Sequence, residues 1–357
     1  MACVLYYLYE IFHINLFHYL TVRATIGFFI AFLTTLWLMP RFIRWAQHRQ
    51  AHQPIYEYAP KRHQEKARTP TMGGAVFISA TIIATLLSAQ LFNPFVQVAL
   101  LLVVMYATIG MSDDLGKILK RENKAGLAPK SKFWWQMGAG LVVSTLLVFY
   151  AKMPTELYVP FVKNPVMQMG FLAIPFWALV MVAASNAVNL TDGLDGLATV
   201  PSVFAFLSLM GLAYITGNAV MANYLLLPKI IGVGELMVLC ASLIGALLGF
   251  LWYNCNPAEV FMGDSGSLAI GGLMGFMGVV TKSELLLFAI GFIFVLETVS
   301  VIIQVGSFKL RGKRVFLMAP IHHHFEMKNW AENKIIVRFW IISLIANIIA
   351  AITIKLR

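Results

Sequence analysis

Charge is scarce in this sequence. Only 12% of its 357 residues are Asp, Glu, Lys or Arg, against 59% hydrophobic, and the mean hydropathy is +0.77. A soluble domain carries roughly 25% charged residues, so a single water-soluble core is excluded as the explanation. Cysteine is nearly absent too. Cys3, Cys240 and Cys255 stand far apart without metal-ligand spacing, which leaves them as small buried hydrophobes rather than a disulfide framework or a zinc site. The opening stretch MACVLYYLYEIFHINLFHYL has neither a basic leader nor a small-residue cleavage site, so it is expected to be retained. Internal repeats and low-complexity stretches are lacking, and a single domain over 1–357 is expected.

What the chain has instead is long apolar runs. A run of about 18 residues can cross a bilayer, and in hydrocarbon its backbone amides must be bonded within the segment, which makes it a helix. The reading is an all-α polytopic membrane protein of about ten spans, near 22–40, 72–92, 95–112, 133–151, 169–189, 198–216, 235–253, 264–281, 284–305 and 335–355. Basic residues cluster in alternate connections. Arg41, Arg44, Arg49, Lys61, Arg62, Lys66 and Arg68 follow the first span, Lys117, Lys120, Arg121, Lys124, Lys130 and Lys132 the third, and Lys309, Arg311, Lys313, Arg314, Lys328 and Lys334 the ninth. The even-numbered connections hold only Lys152, Lys163, Lys229 and Lys282. The positive-inside rule then puts the basic loops in the cytoplasm and both termini on the outer, periplasmic side. The formal net charge of +11 comes from these loops. It suits anionic lipid or an anionic substrate equally well; no nucleic-acid partner is expected.

Aspartate is the most informative scarcity. There are five, Asp113, Asp114, Asp192, Asp195 and Asp264, and all fall at span ends on the cytoplasmic face. An ionisable group at the centre of a membrane helix costs roughly 2.5–3.5 kcal/mol on insertion scales, so carboxylates near membrane depth need a partner or a task. Three segments bringing carboxylates to one face is how a divalent-metal and phosphate site is built. In Asp113-Asp114-Leu115-Gly116-Lys117 two adjacent carboxylates repel, which favours a nearby cation. Lys117, one turn on, could also be an ordinary helix-surface pair worth only about 0.2–0.5 kcal/mol.

In the segment from Asn186 to Gly196 (NAVNLTDGLDG), Asn186, Asn189, Asp192 and Asp195 recur every three residues. On helical or 3₁₀ geometry they form one polar row. Carboxamides suit a nucleobase or sugar, carboxylates a metal or hydroxyls. A helix C-cap accounts for Gly193 and Gly196 but not for four polar residues in register.

The third polar segment runs from Asn254 to Ser267 (NCNPAEVFMGDSGS). Asp264 opens a span there; as an N-cap it would contribute about 1 kcal/mol, and a helix N-terminus also suits phosphate. Phe261 could stack on a base or anchor the interface.

The fourth, Ala319 to Glu326 (APIHHHFE), carries His322, His323 and His324. Neighbours on a helix point about 100° apart, so the three cannot share one zinc; as donors they suit phosphate oxygens. The fifth, Lys66 to Gly74 (KARTPTMGG) with Thr71, is a basic, hydroxyl- and glycine-bearing mouth of span two. Its spacing departs from GxxxxGK[ST].

Together DDxxK (Asp113–Lys117), NAVNLTDGLDG (Asn186–Gly196), FMGDxGS (Phe261–Ser267) and APIHHHFE (Ala319–Glu326) resemble the bacterial phospho-N-acetylmuramoyl-pentapeptide transferases. The likeness extends to TPTMGG and QVGSFKLRGKRVF and covers essentially the whole chain. The aspartate motifs are shared among polyprenyl-phosphate sugar-1-phosphate transferases; APIHHHFE is the discriminating string.

The resemblance implies transfer from UDP-N-acetylmuramoyl-pentapeptide to undecaprenyl phosphate, giving lipid I and UMP, with Mg2+, in the bacterial plasma (inner) membrane. It also implies the site roles. Asp264 is expected as the magnesium ligand, where a helix start meets glycine-flanked backbone. Asp113 and Asp114 are expected to orient the lipid phosphate or take its proton, with Lys117 balancing their charge. Asn189, Asp192, Asp195 and Phe261 are expected to hold the uridine, Asn186 and Asn254 to bind substrate, and Lys66, Thr71, His322, His323 and His324 to contact phosphates or sugar. A covalent aspartyl-phosphate route through Asp264 or Asp113 stays open, and a homodimer is permitted. The runner-up within the class is a polyprenyl-phosphate N-acetylhexosamine-1-phosphate transferase. A cation-coupled transporter fits worse, because it needs midplane charges and paired repeats.

Overall fold

The computed structural model describes residues 15–49, 69–120 and 126–354. The order is α1 (Leu20–His48), α2 (Gly73–Ser88), α3 (Pro94–Lys120), α4 (Pro129–Phe149), a two-residue hairpin β1 (Glu156–Leu157) and β2 (Met167–Gln168), α5 (Ala173–Thr191), α6 (Thr199–Gly217) and the short α7 (Ala219–Tyr224). There follow α8 (Leu236–Asn254), α9 (Asp264–Val280), the single turn α10 (Leu287–Ile290), α11 (Phe292–Arg311), α12 (Ile321–Met327) and α13 (Glu332–Thr353). Glu156 pairs Gln168 and Leu157 pairs Met167 in the antiparallel hairpin.

Among the described residues eight helices are long and apolar enough to cross a membrane, and α2 and α9 are shorter apolar helices. These ten correspond to the ten expected spans. Of the two short ones, α9 sits inside the bundle, whereas α2 keeps Ile83 and Leu86 on the outside. Every residue of α9 after Asp264 is buried. Its glycines let backbones touch; a Cβ on Gly271 would fall 2.5 Å from the Ala184 carbonyl oxygen of α5. Small residues at such contacts are the usual means of close helix packing in lipid. α9 packs on α5 and α3, and α8 on α1, α6 and α2.

Three boundaries differ from the expectation. α3 continues through Lys120, so Asp113 and Asp114 lie within a helix rather than after it. The ninth span is interrupted at Gly291, between α10 and α11. α1 runs on through Pro40 to His48. At the other end of the bundle from the aspartates, Arg23 Nη2 donates to Glu235 Oε2 at 3.0 Å, a buried pair tying α1 to the turn before α8.

Candidate active site

The N-terminus of α9 organises the site. A helix start leaves its first amides without intrahelical partners, and Gly263, which precedes α9, has no side chain to cap them. Asp114, from α3, caps them instead: Oδ1 accepts from the Asp264 amide at 3.1 Å and Oδ2 from the Ser265 amide at 3.0 Å. The approach requires glycine on both sides. A Cβ on Gly263, at φ +74°, would lie 2.7 Å from Asp114 Oδ2, and one on Gly110 would lie 2.2 Å from the Asp264 carbonyl oxygen. Asp264 is therefore the first helical residue, not the cap, and its carboxylate is free to face the cluster.

That cluster contains Asp113, Asp114 and Asp264, with one ligand oxygen from each within 4.8 Å of the others. Lys117 Nζ lies 2.6 Å from Asp113 Oδ2 and 3.0 Å from Asp264 Oδ2. Lys132, from the first turn of α4, lies 2.7 Å from the same Asp264 oxygen and 3.9 Å from Asp113 Oδ2. Asp113 Oδ1 accepts from the Leu127 amide at 2.6 Å, holding the start of α4 against α3. Three carboxylates face two ammoniums here, and each of the five side chains is at most 15% exposed. All donors are hard oxygens, the set that suits a small divalent cation.

Asn189 joins this group: its Nδ2 donates to Asp264 Oδ1 at 2.7 Å and to Ser267 Oγ at 2.9 Å. Asn186, one turn earlier, donates to Gln136 Oε1 of α4 at 2.7 Å and to the Val182 carbonyl. The expected polar row breaks there, because α5 ends at Thr191 and the chain turns. Asp192 sits just beyond the helix; burial, then the charges of Asp264, Asp114 and Asp195, push its carboxyl up to about 8. Asp195 faces elsewhere. Its Oδ2 accepts from Asn256 Nδ2 at 3.0 Å and the Ala258 amide at 3.1 Å. Asn254 is likewise engaged, with Oδ1 accepting from the Gly196 amide and Thr199 Oγ1 and Nδ2 donating to the Val260 carbonyl. These two shape the loop that carries Phe261.

The TPTMGG segment runs beside FMGD. The Phe261 amide donates to the Pro70 carbonyl, the Gly73 amide to the Phe261 carbonyl and the Gly74 amide to the Met262 carbonyl, at 2.8–2.9 Å. Thr71 is buried, with no hydrogen-bond partner on Oγ1 among the described residues, and that oxygen lies 3.0 Å from where a Gly263 Cβ would be. Lys66 lies outside the described residues. The histidines form helix α12 and separate in role. His322 is buried, His323 Nδ1 lies 2.5 Å from Glu326, and His324 Nδ1 accepts from the Leu317 amide at 3.1 Å.

Two features are not legible as site residues in the sequence. Lys132 reads only as one of several loop charges, because it is 132 positions from Asp264. Gln136 sits one turn further along α4 and carries no motif. An apolar groove is also present, a cavity of about 400 Å³ between α5, α9 and α11 that reaches Ala187 at one end and Phe288 at the other. Its end at Ala187 is within one turn of Asn189.

The glycosyl transferase family 4 matches residues 96–282. The chain is 61% identical over 354 residues to a phospho-N-acetylmuramoyl-pentapeptide-transferase of a Nitratiruptor species, covering 99% of this chain and 100% of that one. It is 60% identical over 354 residues to the protein of that name in Sulfurimonas denitrificans, with 99% and 100% covered. The Campylobacter jejuni protein of that name (strain RM1221) is 56% identical over 353 residues, with the same coverage. Whole-length likeness of this degree, on a bundle that gathers the aspartate motifs at one end, places the chain in the phospho-N-acetylmuramoyl-pentapeptide transferase family.

Proposed function

We propose that this chain transfers phospho-N-acetylmuramoyl-pentapeptide from its UDP derivative to undecaprenyl phosphate, the first membrane step of peptidoglycan synthesis. It is a multi-pass protein of the bacterial membrane, with the reacting face toward the cytoplasm. The observation that carries the reading is the triad of Asp113, Asp114 and Asp264 oxygens within 4.8 Å of one another, faced by Lys117 and Lys132. Such a cluster suits two phosphate groups and a divalent cation, and it lies beside a groove that an isoprenoid chain can enter from the bilayer.

In the reaction a lipid-phosphate oxygen bonds to the β-phosphorus of the nucleotide, and the bond from that phosphorus to the bridging oxygen breaks, releasing UMP. A phosphomonoester has a second pKa near 6, so at pH 7 about nine-tenths of it is already dianionic. Bulk deprotonation therefore contributes little, and the main obstacle is repulsion between two anions. Lys117 and Lys132, which pair with Asp113 and Asp264 here, would face those phosphates if a divalent cation were held by the carboxylates. Magnesium is the ion we assign to Asp264 with Asp113 and Asp114, and it would supply charge neutralisation at the phosphoryl oxygens. Asp114 keeps the α9 amides aimed, Asp113 fixes α4, and Asn189 holds the Asp264 carboxylate in place. Asp192, Phe261 and the loop that Asp195 and Asn254 brace form the nucleotide side. Thr71, Lys66, His323 and His324 are assigned to phosphate or sugar.

The substrate is tested by offering purified protein undecaprenyl phosphate with either UDP-N-acetylmuramoyl-pentapeptide or UDP-N-acetylglucosamine. Lipid-linked product from the first alone is expected. Product from the second alone would move the chain to the N-acetylhexosamine-1-phosphate transferases.

A further inference from the structure

Glu297 lies within the spanning helix α11 and is fully buried. A carboxylate at such depth is costly, and the reaction described above gives it no task. Its partner is His322: Nδ1 of the imidazole lies 3.1 Å from Glu297 Oε1, and the His322 amide donates to Oε2 at 3.4 Å. His322 is buried in turn; among the described residues neither ring nitrogen has a hydrogen-bond partner, so Nδ1 is in close contact with Glu297 Oε1 rather than hydrogen-bonded to it, and the second nitrogen, Nε2, is unpartnered. That nitrogen is pressed against the turn after α5: a Cβ on Gly193 would fall 2.4 Å from it. Gly193 adjoins Asp192, on the nucleotide side of the cluster. A line of contact thus runs from α11 through the imidazole to the residue next to Asp192.

Helix anchoring alone is a poor reason for this pair. Replacing a buried ion pair by well-packed apolar side chains is often neutral or stabilising. What a carboxylate supplies and an apolar side chain does not is a polar contact that sets the position of the imidazole, through the ring at 3.1 Å and the His322 amide at 3.4 Å.

We propose that Glu297 is a positioning residue: by orienting His322 it braces the turn at Gly193 and so holds Asp192 toward the nucleotide substrate. The inference rests on the proposed transferase function. It also moves His322 from the phosphate contacts expected from sequence to a supporting role, which its burial and its distance to Glu297 favour.

The test uses the full-length protein in detergent, with steady-state kinetics against each substrate and a thermal unfolding midpoint for every variant. Glu297→Leu removes the orienting carboxylate and keeps an apolar fit. Removing one partner of a buried pair is destabilising, so its unfolding midpoint should fall; assayed below that midpoint, it should raise KM for the nucleotide sugar or lower kcat/KM for it by roughly 10- to 100-fold, the scale of a small misplacement. KM for undecaprenyl phosphate should stay within about twofold, since the groove is untouched. Glu297→Gln, which keeps an oxygen facing Nδ1 and an acceptor for the His322 amide, should recover most of the loss. Gly193→Ala pushes on His322 without touching Glu297 and should give the same nucleotide-specific defect; combined with Glu297→Leu it should be no worse than either alone. If Glu297→Leu does not fold, Gly193→Ala and Glu297→Gln decide. Normal nucleotide kinetics in Gly193→Ala, or equal losses for both substrates, would overturn the proposal. Absence of transfer by the unsubstituted protein would instead sink the proposed function.

Discussion

Asp114 of α3 accepts the Asp264 and Ser265 amides at 3.1 and 3.0 Å, so the helix that presents Asp264 is capped by a residue 150 positions away. This bond pair links the DDxxK motif to FMGDSGS without any metal, and it explains why Asp264 need not cap its own helix. Asp114→Asn keeps the shape but removes the charge that makes these bonds strong. Hydrogen bonds to charged groups contribute about 1.5–3 kcal/mol. The variant is expected to lose transfer activity by at least roughly 10²-fold, the size of losing one preorganised electrostatic contact, and to unfold at lower temperature. Activity assays and melting curves on the same preparation check both.

Lys132 pairs with Asp264 at 2.7 Å from a different helix. Lys132→Met keeps the length of the side chain and removes the ammonium. A fall in kcat of roughly 10²–10³-fold is expected, with the fold retained. Unchanged kcat would restrict the cation role to Lys117.

Gly263 combines a positive φ of +74° with contact to Asp114 Oδ2. An alanine there meets backbone strain of about 1–3 kcal/mol and displaces the carboxylate that caps α9. Gly263→Ala is expected to abolish measurable activity; circular dichroism would show the bundle still helical.

Asn254 makes three buried hydrogen bonds that hold the turn at Gly196 to the segment before Phe261. Asn254→Ala leaves those partners unsatisfied, a loss of roughly 2–4 kcal/mol. The expected result is a lowered unfolding midpoint, with a weaker affinity for UMP by equilibrium binding. A normal midpoint with lost binding would return Asn254 to direct substrate contact.

The reach of sequence reading differs from element to element. The spans are legible because hydrocarbon leaves a long apolar run no alternative to helix, and the aspartates because they are so few. The short helix α9 is legible as apolar but not as the buried centre, since periodicity vanishes when every face is covered. Lys132 and Glu297 are hidden for a common reason. Each acts on a partner far along the chain, and neither has a local spacing that would mark it. Asp195 shows the opposite failure: its three-residue spacing from Asp192 suggests a shared row, but the helix ends before it and turns its carboxylate to the 256–258 loop.

The Asp113, Asp114 and Asp264 cluster is the proposed reacting centre of a metal-dependent phospho-sugar transfer to a lipid. The most direct measurement combines purified protein, undecaprenyl phosphate and labelled UDP-N-acetylmuramoyl-pentapeptide, with magnesium or with EDTA. Label should enter the butanol-soluble lipid with release of UMP when magnesium is present, and both should cease with EDTA and with Asp264→Asn. Full turnover in EDTA, or an Asp264→Asn protein with unchanged activity and magnesium dependence, would show that this cluster is not the metal-dependent reacting centre.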